Sequence, residues 1–324
     1  MRKFIKVLAE EIIGGKDLSL KEAEDLISLK GCDLPLLLEA AARVCQHFRA
    51  NKVNLCSITN AKSGACSQDC KFCAQSAAYK TDVPVYPLIE PQEMLRRAGL
   101  AHESFSKRFC FVTSGESLGE DEFDKICEGL HLIKSRFSDL KLDASLGFLT
   151  QGRAKRLKQT GLSRYNHNLE TSSDYFPKIC STHTYLKRVE TVQAVKEAGL
   201  EVCCGGIFGL GESQQDRLKL SLALRDLEVD CIPLNFLNPI SATPLGHQKK
   251  LTYKECLKII SIFRLVHPRR EIKVCGGRES VLGNKQSLIF KAGADSIIFG
   301  DYLTTKGNSP NQDLEMIKAA GLSI

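Results

Sequence analysis

RFCFVTSGESLGEDEFDKICEGLHLIKSRFSDLKLDASLG, residues 108–147, decides the fold. It opens on the apolar run RFCFVTS and passes a polar turn. It then continues through DEFDKICEGLHLIKSRF with helical apolar spacing and ends on a second short run, LKLDASLG. Strand, amphipathic helix, strand is the unit of a parallel sheet, because parallel strands need a crossover long enough to return to the same edge. The unit recurs. Strand-length runs also stand at VNLCSIT, SRYNHNLE, EVCCGGIFG, CIPLNFL, EIKVCGG and DSIIFGD, and TYLKRVETVQAVKEAGL, SQQDRLKLSLALRDL and TYKECLKIISIFRLVH lie among the helical segments between them. Eight strand candidates, each followed by a helix candidate, predict an α/β chain folded as a (β/α)8 TIM-type barrel, with a doubly wound open sheet as the alternative.

Two helical segments precede this pattern. SLKEAEDLISL begins with Ser19 and Glu22 at capping-box spacing, and DLPLLLEAAARVCQHFRANK has Asp33 as its cap and Pro35 in its first turn. Residues 1–50 are therefore expected to form an N-terminal helical extension, and 51–324 the barrel. The start, MRKFIKVLAEEIIGG, carries acids and lacks the apolar run and cleavage site of a signal peptide. No stretch approaches ~18 consecutive apolar residues, so a cytoplasmic chain without a membrane span is expected. The net charge of +7 is spread over Lys and Arg in no run longer than a pair. That is a solvated basic surface with room for an acidic partner or anionic ligand. Without a basic stripe interleaved with exposed aromatics, nucleic acid is not an expected partner.

Polar residues fall inside the strand runs. Asn166, Asn168 and Glu170 share one face by the two-residue period, as do Cys231, Pro233 and Asn235. Such groups are costly in a dry barrel, so the lumen is the expected ligand site. The 14 cysteines of a chain without a secretion signal argue against a disulfide framework. Cys32, Cys45, Cys127, Cys180 and Cys256 sit in helical or irregular stretches and read as packing. GACSQDCKFCAQS, residues 64–76, is different: Cys66, Cys70 and Cys73 stand at C-x3-C-x2-C. Zinc would want a fourth ligand or a His and carboxylate partner, and neither a second CxxC nor an HxxxH follows. A [4Fe–4S] cluster held by three thiolates keeps one iron open to a small molecule, at the carboxyl end of the first strand where barrels bind ligands. The cluster is favoured, with zinc and inert thiols as alternatives.

The motif, with Phe72 before its last cysteine, resembles the radical S-adenosylmethionine superfamily. From Val53 to Thr305 the chain is similar to the biotin synthase family, through GACSQDCKFCAQS, YNHNLETS, THTYLKRVETV, GGIFGLGE, PLNFL with TPL downstream, GGRES and AGADSIIFG…LTT. The resemblance implies cleavage of S-adenosylmethionine by an electron from the cluster on Cys66, Cys70 and Cys73. The resulting 5′-deoxyadenosyl radical takes hydrogen from dethiobiotin, and an auxiliary cluster gives up the sulfide that closes the ring. No catalytic side chain is implied beyond these cofactors. By the same resemblance, S-adenosylmethionine is met by Phe72, by Thr113, Ser114, Gly115 and Glu116, by Glu170 (where the family usually has Asp), and by Arg188. Gly205, Gly206, Gly209 and Gly211 would let the backbone approach it. Asn168 and Asn235 match contacts to the ureido ring, and Thr304 and Thr305 those near the carboxylate tail. A flavodoxin- or ferredoxin-type electron donor is implied, and a homodimer is compatible.

One part departs from the family, which usually holds a [2Fe–2S] auxiliary cluster with three Cys and one Arg. Cys110 and Cys203 remain, but Asp143 and Lys273 fall at the other two positions. Cys56 and Cys231 appear where the family typically has Ser. A four-iron auxiliary cluster, [4Fe–4S] or [4Fe–5S], is therefore expected over [2Fe–2S], on Cys56, Cys110, Cys203 and Cys231 with Cys275 in reserve. Cys204 should face away from the lumen, and Asp143 is the expected ion partner of Lys273. The competing functions are a related radical enzyme with another substrate, of the hydrogenase-maturase kind, and a noncatalytic iron–sulfur protein.

Overall fold

The computed structural model describes residues 2–324. Three helices come first, α1 (Arg2–Ile13), α2 (Leu20–Ile27) and α3 (Leu34–Arg49). The capping box of α2 forms as expected: the Ser19 hydroxyl accepts from the Glu22 amide at 3.3 Å, and the Glu22 carboxylate accepts from the Ser19 amide at 3.0 Å. Asp33 stands at the N-cap of α3 with Pro35 just inside, but its side chain caps nothing. A 3₁₀ turn, Gly31–Asp33, leads into the helix and leaves Asp33 in the αR region rather than the extended geometry of a capping residue.

The first half of the barrel contains β1 (Asn54–Lys62), α4 (Pro91–Glu103), β2 (Arg108–Thr113), α5 (Glu120–Arg136), β3 (Lys141–Ser145), α6 (Gln151–Gln159), β4 (Leu162–Asn166) and α7 (Tyr185–Glu197). The second half contains β5 (Glu201–Cys203), β6 (Gly206–Phe208), α8 (Gln214–Asp226), β7 (Cys231–Phe236), α9 (Tyr253–Val266) and β8 (Glu271–Val274). It ends with α10 (Arg278–Leu282), α11 (Leu288–Lys291), β9 (Ser296–Ile298) and α12 (Pro310–Ala319). Every strand run in the sequence forms a strand. EVCCGGIFG alone is broken, into β5 and β6, which share one barrel position. All pairings are parallel, in the order β5-β4-β3-β2-β1-β9-β8-β7-β6, and Cys203 of β5 opposite Cys231 of β7 closes the ring. The sheet is a closed eight-position barrel, not an open doubly wound one.

Two apolar layers hold it. Outward strand residues such as Leu55, Phe111, Leu142, Val202 and Ile232 pack under the surrounding helices. A second cluster joins Leu8, Ile12, Leu26 and Val44 of the N-terminal helices to Ile262 and Leu265 of α9. Covered on both sides, α9 is buried all round from Ile259 to Val266, which is why its second half, unlike a surface helix, is mostly apolar.

The lumen floor, at the amino ends of the strands, is charged and largely buried. Arg108 grips Asp143 through Nη2 at 2.7 Å and Nε at 2.9 Å, with both side chains buried. Beside them Arg164 contacts Glu201 at 2.9 Å and Glu271 at 3.2 Å. Burial pushes Glu271 up, yet Lys273 and Arg164 hold it well below the carboxylate range, so it stays charged. Asp143→Ala would strand the Arg108 guanidinium in this floor. It is expected to cost about 3–5 kcal/mol in denaturant unfolding, with Arg108→Met plus Asp143→Leu recovering most of the loss. A variant as stable as the native chain would show that Glu201, 3.2 Å from Arg108, serves equally well.

Candidate functional site

The carboxyl end of the barrel opens into two adjoining chambers, of about 240 Å³ and about 320 Å³. The first lies beside the loop that follows β1. That loop is folded on itself by its own backbone: the Cys73 amide donates to the Cys70 carbonyl at 2.9 Å, Cys66 to Gln75 at 3.0 Å, and Ala77 to Cys66 at 2.8 Å. It brings Cys66, Cys70, Phe72 and Cys73 to one wall, facing Thr113 to Glu116 from the end of β2 and Glu170 and Arg188 beyond β4. Arg188 is aimed by two contacts, donating from Nη1 to the Asn168 carbonyl at 2.9 Å and from Nε to His183 Nε2 at 3.0 Å.

Glu170 sits at φ 68°, a conformation uncommon outside glycine, which turns its carboxylate inward. Burial pushes its pKa up, and Arg188, 3.7 Å away, only partly offsets this. Its Oε2, Thr113 Oγ1 and His167 Nε2 are buried without hydrogen-bond partners. Unpaired buried polar atoms are expensive, so three of them lining one chamber fit a ligand rich in hydroxyl and charged groups.

Cys56, Cys203, Cys275 and Lys273 line the second chamber, with Asn168, Asn235, Thr304 and Thr305 higher in it. Cys110 and Cys231 are fully buried close by. Asn166 Nδ2 donates to Cys110 Sγ at 3.2 Å, and Cys231 is the register partner of Cys203. Cys204 is also buried, but in the apolar layer between strands and helices that none of the other five joins. Burial pushes the thiols of Cys56, Cys110, Cys231 and Cys275 up. Burial also opposes the Lys273 ammonium, yet the sulfurs of Cys203, Cys231 and Cys56 together with Glu271 keep it protonated. The expected Asp143–Lys273 pair does not form. Asp143 is taken by Arg108, and Lys273 Nζ lies instead 3.9 Å from Cys203 Sγ and 4.0 Å from Glu271 Oε1. Five thiols around a buried cation fit an anionic, thiolate-held iron–sulfur core.

Phe72, Cys73, Gln75, Ser145, Asn166 and Asn168 line both chambers and mark where they meet. Asn235 is braced across strands, donating to the Gly206 carbonyl at 3.2 Å and accepting from the Gly276 amide at 3.1 Å. Asn168 likewise accepts from the Gly205 amide at 3.2 Å. Gly205, Gly206, Gly209 and Gly211 line neither chamber. A Cβ on Gly205 would stand 2.1 Å from the Pro233 carbonyl oxygen, and one on Gly206 2.4 Å from that of Glu170. Close strand packing requires glycine there.

Three residues that carry no weight in the sequence matter in space. His167 lines the first chamber, and burial holds its ring well below the usual range, hence neutral. His183 bridges Gln68 of the cysteine loop, at 2.7 Å, to Arg188. Cys180, read as packing, lies 3.8 Å from Cys70 Sγ. Beside Cys70, and despite burial, Cys180 falls to about 4, while the contact with Cys180, together with burial, pushes Cys70 up. YNHNLET offered a hint of His167; nothing in THTYLKR ties His183 or Cys180 to a loop more than 100 residues away.

A parallel barrel with a three-cysteine loop over its carboxyl end is the architecture of radical S-adenosylmethionine enzymes. Residues 61–223 match the family model described as Radical SAM superfamily, and residues 233–323 that of the Biotin and Thiamin Synthesis associated domain. Biotin synthase of Citrifermentans bemidjiense is 47% identical over 322 residues, 99% of this chain and 98% of the relative. That of Geobacter sulfurreducens is 46% identical over 325 residues, 100% and 98%. The chain belongs to the biotin synthase family. Its fold is shared with a crystal structure of methylornithine synthase (TM-score 0.84, 19% identity, 98% of this chain and 96% of the other). A maturase of the [FeFe]-hydrogenase also shares it (TM-score 0.86, 17% identity, 99% and 75%). Among the described residues, no helix is long and apolar enough to cross a membrane.

The packing of the fifth strand position predicts that Gly205→Ala loses about 1–3 kcal/mol, because the Pro233 backbone must move. Gly152→Ala, in α6 with nothing within 4 Å of the new Cβ, should be neutral or gain slightly. Thermal unfolding of the two variants checks this; equal melting temperatures would contradict it.

Proposed function

We infer that this protein is a biotin synthase, using S-adenosylmethionine to convert dethiobiotin to biotin with sulfur from an auxiliary iron–sulfur cluster. One observation carries the reading: two chambers that share a wall at Phe72, Cys73 and Asn168, one beside the C-x3-C-x2-C thiols and the other among buried thiols. When bound, the [4Fe–4S] cluster supplies the electron that splits the sulfonium of S-adenosylmethionine, and the auxiliary cluster supplies the sulfide. Cys66, Cys70 and Cys73 would hold the first. Arg188, fixed by His183 and the Asn168 carbonyl, is the charge-assisted partner for the methionine carboxylate. Glu170, with one oxygen unpartnered, accepts from the ribose hydroxyls, Thr113 to Glu116 meet the ammonium, and the backbone at Phe72 meets the adenine. On the far side of Asn168, the Asn168 and Asn235 amides address the ureido ring, and Thr304 and Thr305 the carboxylate tail.

We propose Cys56, Cys110, Cys203 and Cys231 as the auxiliary ligands, with Cys275 in reserve, and a four-iron core, [4Fe–4S] or [4Fe–5S]. Ligand count supports this: Asp143 is committed to Arg108, so the two remaining usual cysteines cannot serve a two-iron core as three thiolates and an Arg would. The buried Lys273 ammonium offsets the charge that thiolates bring into the lumen. A cytoplasmic setting and a flavodoxin- or ferredoxin-type donor complete the proposal.

Cys66→Ala, Cys70→Ala and Cys73→Ala are each expected to abolish 5′-deoxyadenosine formation from S-adenosylmethionine; undiminished cleavage in any of them would remove the basis of the assignment. Anaerobically reconstituted chain should hold about eight irons, against about six for a [4Fe–4S] plus [2Fe–2S] pair. With the three loop cysteines replaced, about four should remain. Cys56→Ala or Cys231→Ala in that background should lower the count and Cys204→Ala should not. An auxiliary site with only two irons, or none, would sink the four-iron reading.

A further inference from the structure

Cys70, Cys180 and His183 are buried, and their ligand atoms all lie within 4.8 Å of one another, the sole such trio of His, Cys and carboxylate groups among the described residues. The spacing suits a single tetrahedral ion. Two thiolates at about 2.3 Å from zinc stand about 3.8 Å apart, and a thiolate and an imidazole nitrogen about 3.5 Å. Here Cys70 Sγ and Cys180 Sγ are 3.8 Å apart, and Cys180 Sγ is 3.3 Å from His183 Nδ1. Asp69 fixes the arrangement. Its Oδ1 accepts from the Ser181 amide at 2.9 Å and the Thr182 amide at 3.1 Å, so the cysteine loop cannot drift from the segment carrying Cys180. That oxygen also lies 3.2 Å from Cys180 Sγ.

We propose that the chain, before its radical cluster is built, binds one thiophilic divalent cation of the zinc class through Cys70, Cys180 and His183. Two thiolates and an imidazole select such an ion over magnesium or calcium. The ion and the cluster exclude each other, because Cys70 cannot serve both. They conflict a second way. His183 Nε2 accepts from Arg188, which leaves the ring proton on Nδ1, where Gln68 Oε1 takes it at 2.7 Å. A metal on Nδ1 moves that proton to Nε2 and breaks the Arg188 contact. The ion therefore also removes one of the two contacts that aim the arginine facing the first chamber, leaving only the Asn168 carbonyl. Only the competition rests on the cluster assignment; binding of the ion does not.

Cobalt(II) is the probe, because a tetrahedral thiolate site gives it intense visible and charge-transfer bands. Full-length chain stripped anaerobically of iron and sulfide should take up one cobalt with these bands, and zinc should displace it. Cys180→Ser and His183→Gln should each weaken binding by at least ~10-fold. Cys66→Ser and Cys73→Ser should leave it unchanged. Cys180→Ser should still accept a [4Fe–4S] cluster on reconstitution, which shows that the variant folds, and His183→Gln gives an independent reading. One equivalent of zinc added first should block cluster assembly in the native chain and not in Cys180→Ser. Cobalt bands that need Cys66 and Cys73 but ignore Cys180 and His183, or no tetrahedral thiolate bands at all, would overturn the proposal. Cobalt binding as described, with zinc failing to block assembly, would keep the site and overturn the competition.

Discussion

Closure of the barrel rests on two short pairings, the bridge between Glu170 and Gly206 and the register that sets Cys203 of β5 opposite Cys231 of β7, and the contents of the lumen follow from the latter. With a side-chain period of two, that register turns Cys203 inward and leaves Cys204 in the apolar layer under α7. A slip by one residue would exchange them and bring Cys204 into the lumen in place of Cys203. The strand breaks just past this point at a position that must be glycine, because the Pro233 backbone occupies the space a side chain at Gly205 would need. The Leu169 and Glu170 amides share the Gly205 carbonyl, at 3.0 and 3.1 Å, and this joins the end of the β4 segment to the break. Closure, the inward thiols and the unusual backbone of Glu170 are therefore one local solution.

Charge pairing at the floor decides what the lumen above it can hold. Arg108 and Asp143 satisfy each other, and Arg164 is shared between Glu201 and Glu271. Lys273 is the cation left without a carboxylate closer than 4.0 Å, and its nearest sulfur belongs to Cys203. Asp143 is thus no stand-in for a missing ligand but half of an ion pair. The thiols added at Cys56, Cys231 and Cys275 lie instead where a positive charge is already available.

Much of this was legible in the sequence. Eight strand runs, each with its helix, favour a barrel over the open doubly wound alternative because apolar and helical periods alternate from Val53 onward, and the closing pairing of β5 with β7 decides between them. The inward asparagines could be placed because short-range spacing sets which face a side chain takes, and the three-cysteine loop by its own spacing, whereas Thr113 to Glu116 were placed by the family resemblance. What spacing cannot show is partner choice across strands. Asp143 lies 130 residues from Lys273 and 35 from Arg108, yet nothing in the sequence ranks the two pairs; register adjacency of β2 and β3 does. The glycines of GGIFGLGE suggested approach to a cofactor, but sequence does not tell that use from clearance for a neighbouring strand.

The segment from Cys180 to Arg188 was the least legible and ties the site together. Asp69 docks it to the cysteine loop, Gln68 holds His183, and His183 aims Arg188. Each link is a hydrogen bond between groups more than 100 residues apart or, for His183 and Arg188, five residues apart across the start of α7. The loop that presents the thiols and the arginine that faces them therefore form one hydrogen-bonded unit rather than two walls adjusted independently. The tautomer follows from the same chain of bonds: Arg188 can only donate, so His183 Nε2 must accept and Nδ1 must carry the proton that Gln68 receives. A neutral histidine between a cation and an amide transmits position without adding charge. The barrel can thus keep Arg188 fixed beside Glu170 at 3.7 Å while leaving the Glu170 Oε2 atom free for a ligand.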